Sequence, residues 1–248
     1  MTTDVVHEHY RRLAQSYDDL LSYSGDFVRC LSKKIVEKLR LRPDDVFVDV
    51  GGGTGMYTAD ILEQVPLRHP VTLVDPFAEM LAKAPPELPV RRVCMDALTF
   101  SAQPGHYDKV LMKESVHHVQ DRPALFGNLH RRLNPGGILL LVHIPPVIDY
   151  PLFEAALERS KTWHADPDQL ARQLEAAGFT VERDALDYRH VIDKEAYFRM
   201  VRHRYMSLLS SFSDEELAVG LQEMAERYAD RDMLEFNDHF DYLTASKR

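Results

Sequence analysis

The stretch from Val46 to Gly55, VFVDVGGGTG, constrains the fold more than any other part of the chain. It begins as a short apolar run, interrupted by Asp49, and has glycine at four of the five positions from 51 to 55. The next segment, MYTADILEQV, spaces its apolar residues as an amphipathic helix does. We therefore predict a buried strand, a glycine turn and a helix. This unit is typical of a nucleotide-type site, because glycines permit positive φ and close backbone approach, and free amides at a helix start favour polar or anionic groups.

The spacing of the glycines distinguishes between classes of nucleotide. A dinucleotide-binding turn follows G-x-G-x-x-G, which would need glycine at position 56, where the chain has Met56. Here the third glycine is Gly55, so the pattern is Asp-x-Gly-x-Gly-x-Gly, and Gly52 makes the turn richer in glycine than this pattern requires. An acid inside the strand would repel a pyrophosphate, but it suits a ligand that carries a cationic amine.

This pattern resembles motif I of the class I S-adenosylmethionine-dependent methyltransferases. The resemblance covers essentially the whole chain and implies an α/β fold: a Rossmann-like, doubly wound seven-stranded sheet, mainly parallel with an antiparallel last strand, plus a helical cap. The implied cofactor is S-adenosyl-L-methionine, with S-adenosyl-L-homocysteine as its product. By this resemblance, Asp49 lies near the methionine amino group, and the ligand rests on Gly51, Gly53 and Gly55.

A second acid follows the next apolar run, VTLVDPFAEMLAKA, at Asp75. A lone acid at the end of a strand often caps the following helix. At about twenty residues beyond a glycine turn it can instead accept hydrogen bonds from ribose hydroxyls, and we favour this role. We include Pro76 in the predicted cofactor site. Met80 packs either beside the adenine or in the core.

The third and fourth strands contribute further candidates. VRRVCMDALTF predicts a strand followed by Asp96 and Ala97. The resemblance implies that Asp96 accepts a hydrogen bond from the adenine exocyclic amine and that the amide of Ala97 faces the ring. HYDKVLMKESVHHV contains the fourth strand and resembles motif IV. Because such sheets bind ligands at the carboxyl ends of their strands, residues Lys113 to His118 should border the reacting centre, and we assign Lys113 to the cofactor site.

Histidines are the candidates for catalysis. Methyl transfer is an in-line displacement to which positioning and desolvation contribute strongly, and a hydroxyl acceptor would also need a base. An imidazole suits that task because it titrates near neutrality. His117, His118 and His143 lie at the predicted ligand-side ends of strands four and five. We take His118 or His143 as the candidate base. Alternatively, the pair His117–His118 positions the backbone and takes no part in the chemistry.

Two segments outside the sheet are predicted to cover the site. HYRRLAQSYDDL resembles the family's N-terminal helix, which folds over the cofactor as a lid and carries Tyr17 in its Tyr-Asp pair; the alternative for Tyr17 is ordinary core packing. A helical insertion separates strands six and seven. Its Arg199, Arg202 and Tyr205 are candidates for binding the substrate, the arginines through a carboxylate or phosphate. The alternative is a solvated basic face beside an aromatic stripe in the core.

The length of 248 residues fits a single domain. We divide it into an N-terminal helical lid (1–42), a cofactor-binding core (43–192), a helical cap insertion (193–237) and a last strand (238–248). RRLNPGGILLLVHI resembles motif V and predicts a helix that stops at the NPGG sequence, followed by the fifth strand. Residues 163–178 are predicted to form one helix.

Charge and cysteine content limit the partners. The formal net charge of −9 argues against a grip on nucleic-acid phosphates and favours a small-molecule acceptor. Cys30 and Cys94 are expected to be buried free thiols, as in a reducing cytoplasm. No apolar run approaches the length of a membrane span, and no histidine pair has the neighbours of a metal site. We therefore expect a cytoplasmic protein with no metal, nucleic-acid or membrane partner.

The predicted activity is transfer of a methyl group from S-adenosylmethionine to oxygen or nitrogen of a small molecule. One alternative is a fold relative that keeps the cofactor but performs non-methylating chemistry or only binds. A less favoured alternative is methylation of RNA or protein, because the chain is acidic and has no appended binding domain.

Overall fold

The fold is built on a central β-sheet. A computed structural model describes residues 25–248 of the chain. Its strands are β1 (Phe47–Val50), β2 (Val71–Asp75), β3 (Val90–Cys94), β4 (Tyr107–Lys113), β5 (Leu133–His143), β6 (Thr180–Asp193) and β7 (Met233–Ser246). They form a seven-stranded sheet in the order β3-β2-β1-β4-β5-β7-β6. The pairs from β3 to β5 are parallel, and β7 is antiparallel to both of its neighbours. The predicted fold class is confirmed.

Helices connect the strands and cover the sheet. Numbered from the first that the structure describes, they are α1 (Gly25–Leu39), α2 (Met56–Gln64), α3 (Ala78–Leu81), α4 (Ala97–Ala102), α5 (Arg122–Arg132), α6 (Glu154–Trp163), α7 (Pro167–Ala176), α8 (Lys194–Arg202) and α9 (Asp214–Arg227). Short 3-10 turns span Val116–His118 and Ser207–Ser211. The segment between β6 and β7 is thus mostly helical, as the long separation of these strands predicted.

Side chains of the central strands alternate between two hydrophobic clusters. Val110 and Met112 pack with residues of α5 and α7, whereas Leu111 between them packs with residues of α1. Every residue of β1 and β2 is buried. A parallel sheet covered by helices needs this burial on both faces, so its strands are continuous apolar runs. The same runs were the signal that predicted the strands.

The start of β5 and the helix predicted over residues 163–178 differ from the prediction. β5 begins at Leu133 rather than after the NPGG sequence, because an irregularity in its pairing with β4 accommodates these residues. Residues 163–178 do not form one helix. Asp166 caps α7 with its side chain and Pro167 occupies the first turn, so α6 ends at Trp163 and the chain changes direction.

The last strand is longer than predicted. β7 begins at Met233, inside the segment predicted as the insertion, because it pairs with β6 along a ladder from Thr180–Ser246 to Asp193–Met233. The far end of this ladder extends towards the helical segment 194–227. It carries Asp238 and Phe240 to the site described below.

Two further expectations concern the cysteines, predicted to be buried free thiols, and the absence of a membrane-spanning segment. Cys30 and Cys94 are free thiols, as predicted. The predicted burial is wrong for Cys94, which is exposed on β3 at the edge of the sheet, and Cys30 is only partly buried. Within residues 25–248, no helix has both the length and the apolar character needed to cross a bilayer.

Two glycines inside helices give a test of the packing. A Cβ at Gly220 in α9 would lie 2.5 Å from Cγ of the buried Phe153, whereas a Cβ at Gly127 in α5 would meet nothing closer than Arg131 Nη1 at 3.7 Å. We expect Gly220→Ala to lower the free energy of unfolding by about 1–2 kcal/mol through overpacking. Gly127→Ala should raise it by about 0.5–1 kcal/mol, because alanine has the higher helix propensity. Urea unfolding measures both, and equal effects would contradict the packing of α9 on Phe153.

Candidate active site

A cavity of about 610 Å³ opens at the carboxyl ends of the parallel strands. Its lining includes residues that end or directly follow β1 to β4, such as Asp75 at the end of β2 and Lys113 at the end of β4. Residues of α2, of β7 and of the segment 205–207 also line it. Open sheets of this topology bind ligands at this edge, and the volume is that of a small-molecule site.

Three glycines of the turn after β1 have left-handed backbone conformations. The φ angles are +80° at Gly51, +56° at Gly53 and +77° at Gly55, which other residues rarely adopt. Gly51 and Gly53 line the cavity. Gly55 does not line the cavity. It is the N-cap of α2, and a Cβ at this position would lie 3.3 Å from Leu73 Cδ2.

Close packing also requires glycine in the turn. A Cβ at Gly51 would lie 2.4 Å from Ser115 Cβ, and one at Gly52 would lie 2.3 Å from Leu73 Cδ1 and 2.7 Å from Asp49 Oδ2. All three distances are shorter than the contacts that Cβ atoms make in proteins. The interpretation of Gly52 as more than the turn requires is therefore wrong, because this position has no room for a side chain.

Asp49 and Asp75 place two buried carboxyl groups beside this turn. Asp49 accepts a hydrogen bond of 2.6 Å from Thr58 Oγ1, and Asp75 accepts bonds from the amides of Gly53 (3.0 Å) and Phe77 (2.9 Å). Burial raises the pKa of each carboxyl to about 6 in spite of these bonds. Both line the cavity, and no Lys or Arg of residues 25–248 forms an ion pair with either.

The other residues predicted to contact the cofactor also line the cavity. These are Pro76, Met80, Asp96 and Ala97. Met80 lies under the turn, with its Cε 3.3 Å from the position of a Cβ at Gly53. Asp96 caps α4 by accepting a bond of 2.9 Å from the amide of Thr99. Residues that follow three neighbouring strands therefore meet along one wall.

Lys113 separates this wall from an aromatic part of the cavity. Its Nζ lies 4.3 Å from the ring centroid of Tyr57 and 5.1 Å from that of Phe240. Burial lowers the pKa of the ammonium, while Glu114, Asp238 and Asp49 act in the opposite direction. The ring faces stabilise the cation where water is scarce.

Asp238 and Tyr150 belong to the cavity but were not found from the sequence. Tyr150 donates its hydroxyl hydrogen to Asp238 Oδ1, and Asp238 Oδ2 lies 3.4 Å from His190 Nε2. Asp238 is 3% exposed and comes from β7, far from the motifs in sequence. The only sign of Asp238 in the sequence was an acid among the alternating apolar positions of β7. Tyr57 and Phe240 also line the cavity and were not predicted, whereas Glu114 lies within the range from Lys113 to His118 that was expected to border the reacting centre.

Two of the three histidines predicted as catalytic candidates line the cavity, and the third does not. His117 and His118 line the cavity, with ring centroids 4.0 Å apart, and His164 from the turn after α6 joins them at 5.4 Å from His117. Burial lowers the pKa of His118 and of His164 to about 4, so both imidazoles are neutral at pH 7. His143 is buried at 1% exposure and does not line the cavity; its Nδ1 lies 3.3 Å from the carbonyl oxygen of Ile144.

Of the three residues predicted to bind the substrate, only one lines the cavity. Tyr205 lines the cavity, but Arg199 and Arg202 do not. They are exposed because α8 packs its other face, which carries Tyr197 and Val201, into the core. The structure thus favours the solvated basic face for these arginines. Tyr17 lies outside the described residues.

The comparisons with known proteins agree with this geometry. A family model described as a methyltransferase domain matches residues 24–183, more than half of the chain. The chain belongs to the class I S-adenosylmethionine-dependent methyltransferases. The family predicted from the sequence is therefore confirmed, and with it the cofactor of that family.

Relatives and solved structures extend the likeness over most of the chain. Phosphoethanolamine N-methyltransferase 1 of Arabidopsis thaliana is 26% identical over 196 residues, which are 75% of this chain and 39% of the relative. The chain thus spans less than half the length of this relative. The structure of Haemonchus contortus phosphoethanolamine N-methyltransferase 2, with phosphomonomethylethanolamine and S-adenosylhomocysteine, has a TM-score of 0.61 at 18% identity and covers 98% of this chain and 60% of that one. The [4+2]-cyclase SpnF has a TM-score of 0.59 at 21% identity, covering 88% and 80%.

The residues around the turn fit S-adenosylmethionine. Two buried carboxyl groups without an ion pair among the described residues stand beside the turn, and both have a raised pKa. A ligand with an ammonium, a sulfonium and ribose hydroxyls supplies the positive charge and the hydrogen-bond donors that such groups lack. Gly51 and Gly53 bring the backbone of the turn to the lining of the cavity, where a ligand can approach it closely.

The raised pKa of Asp75 predicts a pH-dependent stability that can be measured in the protein without ligand. Its folded-state pKa of about 6 exceeds the ordinary aspartate value of 3.8, so the stability it contributes is present below pH 3.8 and lost as pH rises through 6. Asparagine does not titrate. We expect the free energy of unfolding of Asp75→Asn, relative to wild type, to increase by on the order of 1–3 kcal/mol between pH 4 and pH 7.

Urea unfolding across this pH range makes the measurement, with the exposed Asp44→Asn as a control. Asp44 is exposed and forms a surface ion pair with Arg68 at 2.6 Å. A difference between wild type and Asp75→Asn that does not vary with pH would contradict the burial of an ionisable Asp75 carboxyl.

Proposed function

We propose that this protein transfers the methyl group of S-adenosylmethionine to an oxygen or nitrogen atom of a small-molecule acceptor. The main support is that one continuous cavity connects the glycine turn with an aromatic region. The cavity runs from the turn past Lys113 to a part lined by Tyr57, Tyr150, Tyr205 and Phe240. The cofactor supplies a methyl carbon activated by a sulfonium, and the aromatic part of the same cavity offers adjoining space for the acceptor.

We assign the residues on the wall beside the turn to the cofactor. Asp49 binds the methionine ammonium, and Asp75 accepts from the ribose hydroxyls with the help of the two amides that already orient it. Asp96 and Ala97 face the adenine, with Met80 packed beside the ring. The support is their common position along one wall of the cavity.

The charge of the cavity narrows the class of acceptor. Among the described residues that line it, Lys113 is the one Lys or Arg, and it is accompanied by six carboxyl groups: Asp49, Asp75, Asp96, Glu114, Asp121 and Asp238. The lining histidines are neutral because burial lowers their pKa. Such a surface repels anions, so a neutral or cationic acceptor is favoured over a phosphate ester. A polyanion such as RNA is disfavoured for the same reason.

A second candidate is non-methylating chemistry on the same fold. The likeness to a [4+2]-cyclase shows that this fold is not restricted to proteins named as methyltransferases. In that case the protein would bind the cofactor without consuming it. The two functions differ in whether S-adenosylhomocysteine is formed.

An acceptor panel tests the proposal. Purified protein is incubated with S-adenosylmethionine and with small amines, phenols, alcohols and, as an anionic comparison, phosphoethanolamine, and S-adenosylhomocysteine is quantified. We expect formation to depend on an amine or a hydroxyl acceptor and to be weaker with the phosphate ester. Saturable cofactor binding without S-adenosylhomocysteine across the panel would favour the non-methylating alternative.

Removal of the Asp75 carboxyl tests the cofactor assignment. Asp75→Ala should weaken binding of S-adenosylmethionine by about 10- to 100-fold, because charge-assisted hydrogen bonds to the ribose are lost. Asp230→Ala, in the exposed turn before β7, is the matched control. Calorimetric titration measures both variants, and an unchanged Kd for Asp75→Ala would refute the ribose role.

A further inference from the structure

We propose that Glu114 is the base that takes the proton from the acceptor atom as it is methylated. The inference rests on the proposed function, which it makes specific by naming a catalytic residue. The sequence placed Glu114 in the range expected to border the reacting centre, but it gave this residue no role of its own. Its backbone conformation, its carboxylate contacts and its neighbours in the cavity support this role.

The backbone of Glu114 is held in a conformation that side-chain-bearing residues seldom adopt. Its φ is +51°, directly after the last residue of β4, while its amide still donates to the carbonyl oxygen of Val142 at 2.8 Å. Left-handed glutamate is disfavoured, and such strain is concentrated at functional sites. The conformation keeps the strand pairing and brings the side chain to the lining of the cavity.

Only one carboxylate oxygen of Glu114 accepts a hydrogen bond from the described residues. Oε1 accepts a bond of 2.6 Å from the amide of Ile144, which fixes the orientation of the group. Oε2 receives no hydrogen bond from residues 25–248. A group oriented through one oxygen and open at the other is arranged to accept a proton from a ligand.

The electrostatic surroundings give this carboxyl a suitable proton affinity. Burial raises its pKa to about 7, with Lys113 opposing and Asp238 adding to the rise. The ionisable groups that face it from the neighbouring elements are Lys113 on β4, Tyr57 on α2, Tyr150 after β5 and Asp238 on β7. A base with a pKa near the working pH combines a large ionised fraction with a strong driving force for proton transfer.

The histidines are poorer candidates for this step. Burial lowers the pKa of His118 to about 4 and that of His117 well below its ordinary value. Both can accept a hydrogen bond, but their driving force for accepting a proton is weak. His143 does not line the cavity. The neutral imidazoles therefore suit the orientation of the acceptor better than its deprotonation.

The reaction balances with Glu114 as the only added group. The lone pair of the acceptor oxygen or nitrogen forms the bond to the methyl carbon, and the carbon–sulfur bond breaks with its electron pair remaining on sulfur. The hydrogen on the acceptor atom passes as a proton to Glu114 Oε2. The carboxyl then releases this proton to solvent, and the carboxylate is restored.

Glu114→Gln tests the assignment, because the amide oxygen can still accept from Ile144 while the base is lost. With the acceptor that the wild type uses, we expect kcat to fall about 10²- to 10⁴-fold. The Kd for S-adenosylmethionine should stay within about 3-fold of wild type. The acid limb of the wild-type kcat profile, near pH 7, should disappear. The control is Glu182→Gln, the same change at a side chain that is 63% exposed on β6.

A titration without turnover provides the second measurement. Infrared difference spectra of wild type against Glu114→Gln should contain a protonated carboxyl band that is lost as pH rises through about 7. A band lost below pH 5, or a Glu114→Gln variant with wild-type kcat and pH profile, would overturn the assignment and leave the proposed function intact. Absence of turnover by wild-type protein that still binds the cofactor would contradict both.

Discussion

The packing of the glycine turn against both neighbouring strands is the constraint on which the site depends. The amides of Gly51 and Gly52 donate to the carbonyl oxygen of Val74 in β2, at 2.7 and 3.1 Å. On the other side Ser115 after β4 fills the space of a missing Cβ at Gly51 and donates through Oγ to Val50 at 2.9 Å. The ends of β1, β2 and β4 are thereby held together. A bulkier turn would separate them and move the residues that follow each strand.

Buried carboxyl groups are the second organising feature. Asp49, Asp75 and Glu114 all have a raised pKa because burial disfavours the charged form, and each is oriented by a hydrogen bond from the chain. Keeping such groups in a core reduces the stability of the free protein at neutral pH. A cationic ligand offsets that loss. The site is therefore arranged for a ligand with positive charge rather than for a stable empty state.

The part of the site built from consecutive strand–helix units was accessible from the sequence. In a parallel sheet the carboxyl end of each strand lies at the same edge, so an acid that ends an apolar run, such as Asp75, is positioned by topology alone. Asp96 follows the end of β3 in the same way, and Asp49 lies one residue before the end of β1. The cavity-lining positions of these residues needed no knowledge of side-chain packing.

The acceptor side was not accessible in this way. Asp238 and Tyr150 come from segments far apart in sequence, and only the long ladder between β6 and β7 brings Asp238 back to the cavity. The periodicity of α8 identified an amphipathic helix, but it gave no distance to the site, so it did not reveal that Arg199 lies outside the lining of the cavity. The left-handed backbone of Glu114 has no signature in its residue type.

The strand–turn–helix unit around Gly51 is the centre of this account, and its ligand is S-adenosylmethionine. The most direct measurement is calorimetric titration of the purified protein with S-adenosylmethionine and S-adenosylhomocysteine, with NAD as a control. We predict saturable binding with a stoichiometry of about one for both sulfur ligands and none for NAD. Binding of NAD, or of none of the three ligands, would contradict the assignment of the glycine turn and of the acids beside it.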